Sequence, residues 1–412
     1  MNFNPKKIVC LSALIALVSQ SFAQGINTKS RDELLGQINT ITTAVPFLLI
    51  APDARAGGMG DYGVATSPDA ASTHWNPAKL AFADKQIGVS ISYTPWLRAL
   101  VNDINLGHVS IYTKLPKDQA FAFSMLYFSL GSIDFTNENA EKYDEFNPKE
   151  YAFDLSYSRK LGEKLSGGIS FRYIYSNLTG HTALAGGVTT KPGQTVAADL
   201  SAFYRTDLEL GGKKSQLGIG LDISNIGGKI SYSSTASKDF IPMNFRIGTN
   251  LKMDLDQYNS ISFGVDFNKL LVPTPPVYAT DSSGNYVYDT DGNRVVQYGK
   301  DPTNISVPTA IFSSWSDAPA GFSEEIKEFT YSLGVEYWYD KQFAIRAGYF
   351  NESQTKGNRK FFTLGAGLRY NVFGLDFAYL IPTTQRNPLE NTLRFTLTFN
   401  IDGLKSEKKS DE

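Results

Sequence analysis

The sequence predicts an all-β membrane protein, a 14-stranded antiparallel transmembrane β-barrel with an N-terminal plug segment. Three observations predict it. Between Gln86 and Ile401 the chain breaks into fourteen segments, each of about ten residues, in which large apolar side chains take every second position, the period of a strand. The positions between them are small and sparsely charged. The connections alternate between long and tight, as those of a barrel with both ends in the periplasm do.

The chain opens MNFNPKKIVCLSALIALVSQSFAQ. Lys6 and Lys7 precede an apolar run from Ile8 to Val18, and Ser21 and Ala23 are the small residues a signal peptidase reads. Residues 1–23 therefore read as a secretory signal cut after Ala23. Their apolar core is shorter than the roughly 20 residues a spanning helix needs. The one cysteine, Cys10, starts that run instead of ending it, so neither lipidation nor a disulfide framework is expected in the mature chain.

Residues 24–85 do not alternate and read as an N-terminal periplasmic or plug segment. SRDELLGQINTIT has Ser30 as a cap, Glu33 three residues on, and Leu34, Leu35, Ile38 and Ile41 on one helical face. Two shorter turns are expected, one capped by Ser67 with Pro68 inside it, the other capped by Asn76 with Pro77 inside it. Between them stands GMGDYG, Gly58 to Gly63, whose spacing matches a dinucleotide-binding loop. No strand feeds it directly into a long helix, because Pro68 follows within five residues, so the dinucleotide reading is weak. A barrel this wide leaks unless filled. A plug explains the segment: Gly57, Gly58, Gly60 and Gly63 serve tight turns and close approach, and Arg55, Asp61 and Asp69 pair with a charged lining. A disordered or periplasmic leader is the alternative.

In the barrel region, 86–401, Tyr151, Phe153, Leu155 and Tyr157 alternate with Ala152, Asp154, Ser156 and Ser158, and the other segments follow suit. A sandwich would present Lys, Glu and Thr on its second face. Here that face is Gly, Ser, Ala and Asn, with Asp154, Asp199, Asp222, Asp266, Glu336 and Asp376 balanced by Arg172, Arg205, Arg246, Arg346, Arg369 and Arg394. Such a face fits a lumen, and the large apolar face fits lipid. Tyr93, Trp96, Tyr258, Tyr339, Phe343, Tyr370 and Phe373 stand at segment ends, where interfacial girdles belong.

Connections after even-numbered strands are LPKDQ, LGEK, MDLDQY, YDK and NVFG, with DLELGGKK at the sixth slightly longer. The longest outward connection, 270–327, holds DSSGNYVYDTDGNRVVQYG. There Tyr286, Tyr288, Val295 and Val296 flank Asp291-Gly292, a hairpin signal. Asp289, Asp291 and Asn293 resemble part of a calcium loop without its glycine spacing or terminal glutamate. Further on, Ile311, Phe312, Trp315 and Phe322 lie on an outward loop, either as a partner surface or packed back over the mouth. His74, His108 and His181 show no metal-ligand spacing, no nucleophile constellation can be picked out, and no basic patch points to nucleic acid. No cofactor is implied. The tail, 402–412, is charged and expected in the periplasm.

IAPDARAGGMGDYGVATSPDAASTHWNPAKLAF, Ile50 to Phe82, resembles the N-terminal signature of the PorV (LptO) family, outer-membrane shuttle proteins of the type IX secretion system of Bacteroidetes. Asn76-Pro77-Ala78-x-Leu80-Ala81 is more distantly similar to the Asn-Pro-Ala-Gly-Leu-Ala turn of FadL-type fatty acid transporters, with Lys79 in place of glycine. The PorV resemblance implies an escort. It would collect secreted proteins through their C-terminal β-sandwich signal domains at a giant translocon barrel (SprA, or Sov) and deliver them to an attachment complex containing the sortase PorU. The outward loops would meet cargo and the lipid face the translocon. The FadL resemblance implies instead a transporter of hydrophobic small molecules. An outer-membrane enzyme would need His74 or His108 beside a nucleophile.

Overall fold

The computed structural model describes residues 34, 36–136, 139–180, 189–233, 238–303, 305–384 and 387–402. The expected signal (1–23), Ser30, Glu33, Leu35, His181 and residues 403–412 of the tail lie outside them. Fourteen antiparallel strands form one closed barrel. They are β1 (Ile87–Pro95), β2 (Asn105–Leu115), β3 (Gln119–Ser129), β4 (Lys149–Lys160), β5 (Leu165–Asn177), β6 (Gly193–Leu210), β7 (Lys213–Gly227), β8 (Asn244–Asp254), β9 (Asn259–Leu270), β10 (Thr330–Tyr339), β11 (Phe343–Asn351), β12 (Lys360–Tyr370), β13 (Phe373–Pro382) and β14 (Leu393–Ile401). Each pairs with its neighbour in sequence, and β1 pairs with β14 from Ile87↔Ile401 to Tyr93↔Phe395.

The two faces separate as the alternation requires. Ile91, Phe123, Leu155, Phe171, Phe263, Ile345, Leu364 and Leu397 are exposed on the outside. Asp154, Arg172, Asp222, Asp266, Glu336, Arg346, Asp376 and Arg394 are buried on the inside. Even-numbered strands lead into tight turns whose residues take positive φ, such as Lys117 and Asp118, Asp340 and Lys341, and Asn371. That geometry matches the right-handed twist of the paired strands. The sixth connection is shorter than its sequence suggests, because β6 and β7 run on to a two-residue turn of Gly211 (φ 58°) and Gly212 (φ 72°).

Three local expectations need correction, and a fourth holds and is extended. The helix expected through Ile41 does not continue past residue 37, since its backbone donors are claimed by loops: Asn39 N–H by the Thr355 carbonyl and Ala44 N–H by that of Phe240, both at 2.9 Å. Ser67 caps no helix, because Arg55 donates to its hydroxyl (2.6 Å) and its carbonyl (3.1 Å); the helical turn forms later, at Ser72–Trp75. Trp96 leaves the girdle. Leu97 turns the chain at φ 51°, and Trp96 packs with Phe350, Phe361 and Leu389 at the barrel mouth. The Asp291-Gly292 hairpin gains a third limb: Ala279 N–H bonds Val295 O, Val295 N–H bonds Val287 O and Val287 N–H bonds Ala279 O, closing a triangle. Asp289 turns its carboxylate to the N–H groups of Asp291 and Asn293.

The segment ahead of β1 runs the height of the ring. Residues 39–48 sit among the long connections, with Val45, Phe47 and Leu48 in an apolar cluster with Leu106, Phe128, Ile241 and Leu271. Residues 83–86 sit at the tight-turn end, where Lys114 donates to the Ala83 carbonyl and Lys85 pairs with Asp402. Asn76 caps the 3₁₀ turn Pro77–Phe82, accepting from Ala78 N–H at 3.1 Å. In an outer membrane with the long loops outward, as expected from the sequence, residue 38 would stand on the cell-surface side. Ile38 is exposed, and the one thiol of the sequence, Cys10, lies in the expected signal. An Ile38→Cys variant should react with a membrane-impermeant maleimide on intact cells; labelling only after permeabilisation would reverse this orientation.

Candidate functional site

Two regions carry unusual side-chain chemistry, the contact between residues 51–83 and the wall, and the rim beneath the longest loop. In the first, Asp53 caps the short helix Ala54–Gly57, accepting from Ala56 N–H, and its other oxygen accepts from Trp75 Nε1 at 2.7 Å. That fixes Arg55, whose Nε and Nη2 donate to the two oxygens of Glu336 on β10 at 3.0 and 2.9 Å. Arg55 also pairs with Asp69 at 2.7 Å. Glu336 takes a further bond from Arg346, Arg346 pairs with Asp376, and Asp376 with Arg369. A chain of alternating charge thus runs from the segment across β10 to β13. Breaking a buried pair by removing one partner costs about 3–5 kcal/mol, because a charge is left uncompensated.

Gly58 and Gly60 of GMGDYG pack against the wall, and Gly63 against Trp75 of the segment itself. At Gly60 (φ 72°) a Cβ would fall 2.6 Å from Tyr349 N, and at Gly58 one would lie 3.0 Å from the Cα of Gly365. The wall answers with its own glycines, since a Cβ on Gly348 would strike the Met59 backbone and one on Gly334 would lie 2.9 Å from Met59 Cβ. Asp61 pairs with Arg394 on β14. Gly63 and Val64 N–H both donate to Asp266 on β9, at 2.8 and 2.9 Å. Asn76 donates to the carbonyls of Val64 and Ala202, and Pro77 starts the turn that packs on β4 and β5. Lys79 is fully buried and donates to Gly63 O at 2.6 Å and Thr66 Oγ1 at 3.0 Å. A second luminal cluster joins Arg172 to Asp154, Asp199 and Asn225. The expected site residues Arg55, Gly57, Gly58, Gly60, Asp61, Asn76 and Pro77 therefore share one interface. Asp53 and Lys79 brace the segment from within, through Ala56, Trp75, Gly63 and Thr66.

At the rim, Phe312 and Phe322 are 79% and 77% exposed, whereas Trp315 packs edge-on against Phe245 with Phe329 beside it. All three expected contact residues reach solvent, Trp315 at 42% exposure while one of its faces anchors on Phe245. Beneath Trp315 is Lys269, in the outward-facing register of Ile261, Phe263, Val265 and Phe267, yet only 1% exposed. It pairs with Glu325 and Glu328, and Lys356 from the loop after β11 pairs with Glu324 and Glu328. Both lysines were missed in the sequence, although a lysine ending a lipid-facing row was a signal in itself.

Two cavities flank the inner segment. One, of about 430 Å³, opens toward the long loops between Thr40–Thr43, Ile50, Trp96, Phe350, Leu380 and Arg246. The other, of about 290 Å³ and polar, lies toward the tight turns. His74 and His108 face each other with ring centroids 6.3 Å apart. Among the described residues no three His, Cys, Asp or Glu side chains converge as metal ligands.

A family model described as type IX secretion system protein PorV matches residues 34–277. Among solved structures, the chain is similar to the TodX deltaS2S3 mutant monoaromatic hydrocarbon channel, at 12% identity over 85% of this chain and 99% of that one, with a TM-score of 0.46. The Ralstonia pickettii toluene transporter TbuX gives 10% identity over 85% and 98%, TM-score 0.43. A Pseudomonas aeruginosa FadL homologue gives 13% identity over 88% and 99%, TM-score 0.41. No curated protein matches the sequence significantly.

The interface makes a steric prediction. Gly348→Ala should force Met59 and Gly60 off the wall and open Arg55 to trypsin within an otherwise heat-resistant barrel. Gly107→Ala, where a Cβ meets nothing within 4 Å, should leave Arg55 protected. Equal protection in both variants would refute the close approach.

Proposed function

The chain belongs to the type IX secretion system PorV family, and on that premise we propose that it is an outer-membrane escort for secreted proteins. It receives cargo bearing C-terminal β-sandwich signal domains from a SprA/Sov-like translocon barrel and hands it to a PorU-type sortase attachment complex. It performs no covalent chemistry itself and resides in the outer membrane of a Bacteroidetes-type cell. Residues 51–83 act as a plug. The observation that favours an escort over a conduit is the bonding of that segment to the wall: Arg55 to Glu336, Asp61 to Arg394, and Gly63 and Val64 to Asp266. Moving it would uncover several buried charges at once, each without a partner. Cargo is then handled on the outer surfaces, and Phe312 and Phe322 are the exposed apolar groups placed to touch a partner.

A second reading, transport of hydrophobic small molecules, draws on the 430 Å³ cavity with its walls of Trp96, Phe350 and Leu380. The two readings separate on whether the segment must move. Ala54 N–H donates to Thr396 Oγ1 at 2.8 Å, so Ala54→Cys with Thr396→Cys can tie the segment to β14. Secretion should continue with this bond formed. Secretion that stops when it forms and resumes on reduction would overturn the escort reading as stated. Affinity purification from mildly solubilised membranes should recover a giant barrel protein and proteins sharing a C-terminal β-domain, and a Phe312→Ser/Phe322→Ser variant should recover several-fold less of one of them at unchanged barrel yield. Recovery of the barrel alone with bound fatty acid would favour the transporter.

A further inference from the structure

The cluster under the long loop has an uneven charge count. Two ammonium groups, Lys269 and Lys356, face four carboxyls, Asp317, Glu324, Glu325 and Glu328, and all six residues are buried. The three glutamates are satisfied at both oxygens. Glu324 accepts from Lys356 (2.6 Å), Asn39 (2.9 Å) and Ala320 N–H (2.8 Å). Glu325 accepts from Lys269 (3.1 Å) and Ala318 N–H (2.7 Å). Glu328 accepts from Lys269 (2.5 Å), Lys356 (2.9 Å) and the Thr274 hydroxyl (2.7 Å). Asp317 is 3% exposed, and neither of its oxygens has a well-formed hydrogen bond; the hydroxyl and N–H of Thr274 stand near them as weak donors, and among the described residues no cation pairs with them.

An ionised carboxylate in that position is costly, since burial strips its water and the neighbouring glutamates repel it. A proton on the carboxyl removes that charge with no further partner. We propose that the 305–329 segment is a proton-controlled clamp, seated on the rim while Asp317 is neutral and released when Asp317 ionises. The groups facing it are Glu325 and Glu328 of its own segment and Thr274, four residues past β9; Lys269 and Lys356 act on it through the glutamates they pair with. Burial pushes the Asp317 carboxyl up to about 6 against the hydrogen bonding of Thr274, and the charges of Glu325 and Glu328 add to the rise. In a released segment it would titrate near the ordinary value of about 3.9. The contribution to closure is therefore complete below about pH 4, falls by at most about tenfold per pH unit as pH rises, and is lost above about pH 6. Release would loosen Trp315 from Phe245 and Phe329 and reorient Phe312 and Phe322. That consequence for partners rests on the escort reading, whereas the clamp does not.

Hydrogen exchange of peptides from 305–329 in the full-length protein in detergent micelles, corrected for intrinsic rates between pH 4.5 and 7.5, tests it. Wild-type protection should fall by roughly tenfold between pH 4.5 and 6, by about a further twofold to pH 7.5, and then level off. Asp317→Asn should stay protected throughout, and Lys356→Met, which deepens the charge excess, should lose protection at every pH. A flat wild-type profile, the wild-type slope surviving in Asp317→Asn, or an unaltered Lys356→Met would each overturn the clamp. The readout is exchange in the isolated protein, so failure of the escort reading leaves it standing, and its own failure leaves the escort reading untouched.

Discussion

Closure of the ring by β1 against β14 is the constraint from which the rest follows. Inside hydrocarbon an unpaired backbone group costs several kcal/mol, so a strand edge cannot be left open. Seven residue pairs, Ile87↔Ile401 to Tyr93↔Phe395, remove the last edge. Once the ring is closed, alternation is no longer a local preference. A one-residue slip would turn Asp154, Arg172 and Glu336 to lipid and Phe153, Phe171 and Val335 to the lumen.

Closure also creates the second problem, a wide interior lined with charge. The wall cannot satisfy these groups alone. Glu336 is held by Arg346 from the neighbouring strand and by Arg55 from the inner segment, and Asp266 receives two backbone N–H groups from Gly63 and Val64. Small residues make the meeting possible. Glycines on β10, β11 and β12 bring the backbone of Gly58 to Gly60 against the strands, closer than any side chain allows. The glycine spacing that resembles a phosphate loop thus arises from a protein surface pressed on a protein wall.

Much of this was legible in the sequence because strand period, turn length and face composition are short-range signals. Fourteen segments, the inward charges and the Asn76-Pro77 turn could each be read within ten residues. What was illegible depends on contacts far apart along the chain. Ser67 has the chemistry of a helix cap, but Arg55 takes its hydroxyl. Ile38 and Ile41 have helical spacing, but Thr355 and Phe240 take the neighbouring backbone donors. Trp96 has the composition of a girdle residue, and only the turn at Leu97 sends it to the mouth.

Lys269 joins these two kinds of information. Its register is fixed by β9 as firmly as that of Phe267, and that register points it outward. A lysine there is tolerated because the loop that follows folds back over the rim, supplying Glu325 and Glu328 as counter-charges and Trp315 as a lid. The counter-charges in turn need Lys356 from a different loop, and Glu324 needs Asn39 from the inner segment. One misplaced charge at the edge of the lipid belt therefore ties together the longest loop, the loop after β11 and the chain ahead of β1. The outer surface over β8 to β10 is consequently set by electrostatics, while the remainder of the belt is set by apolar alternation. That difference makes this sector the part of the wall whose shape a change in charge can alter.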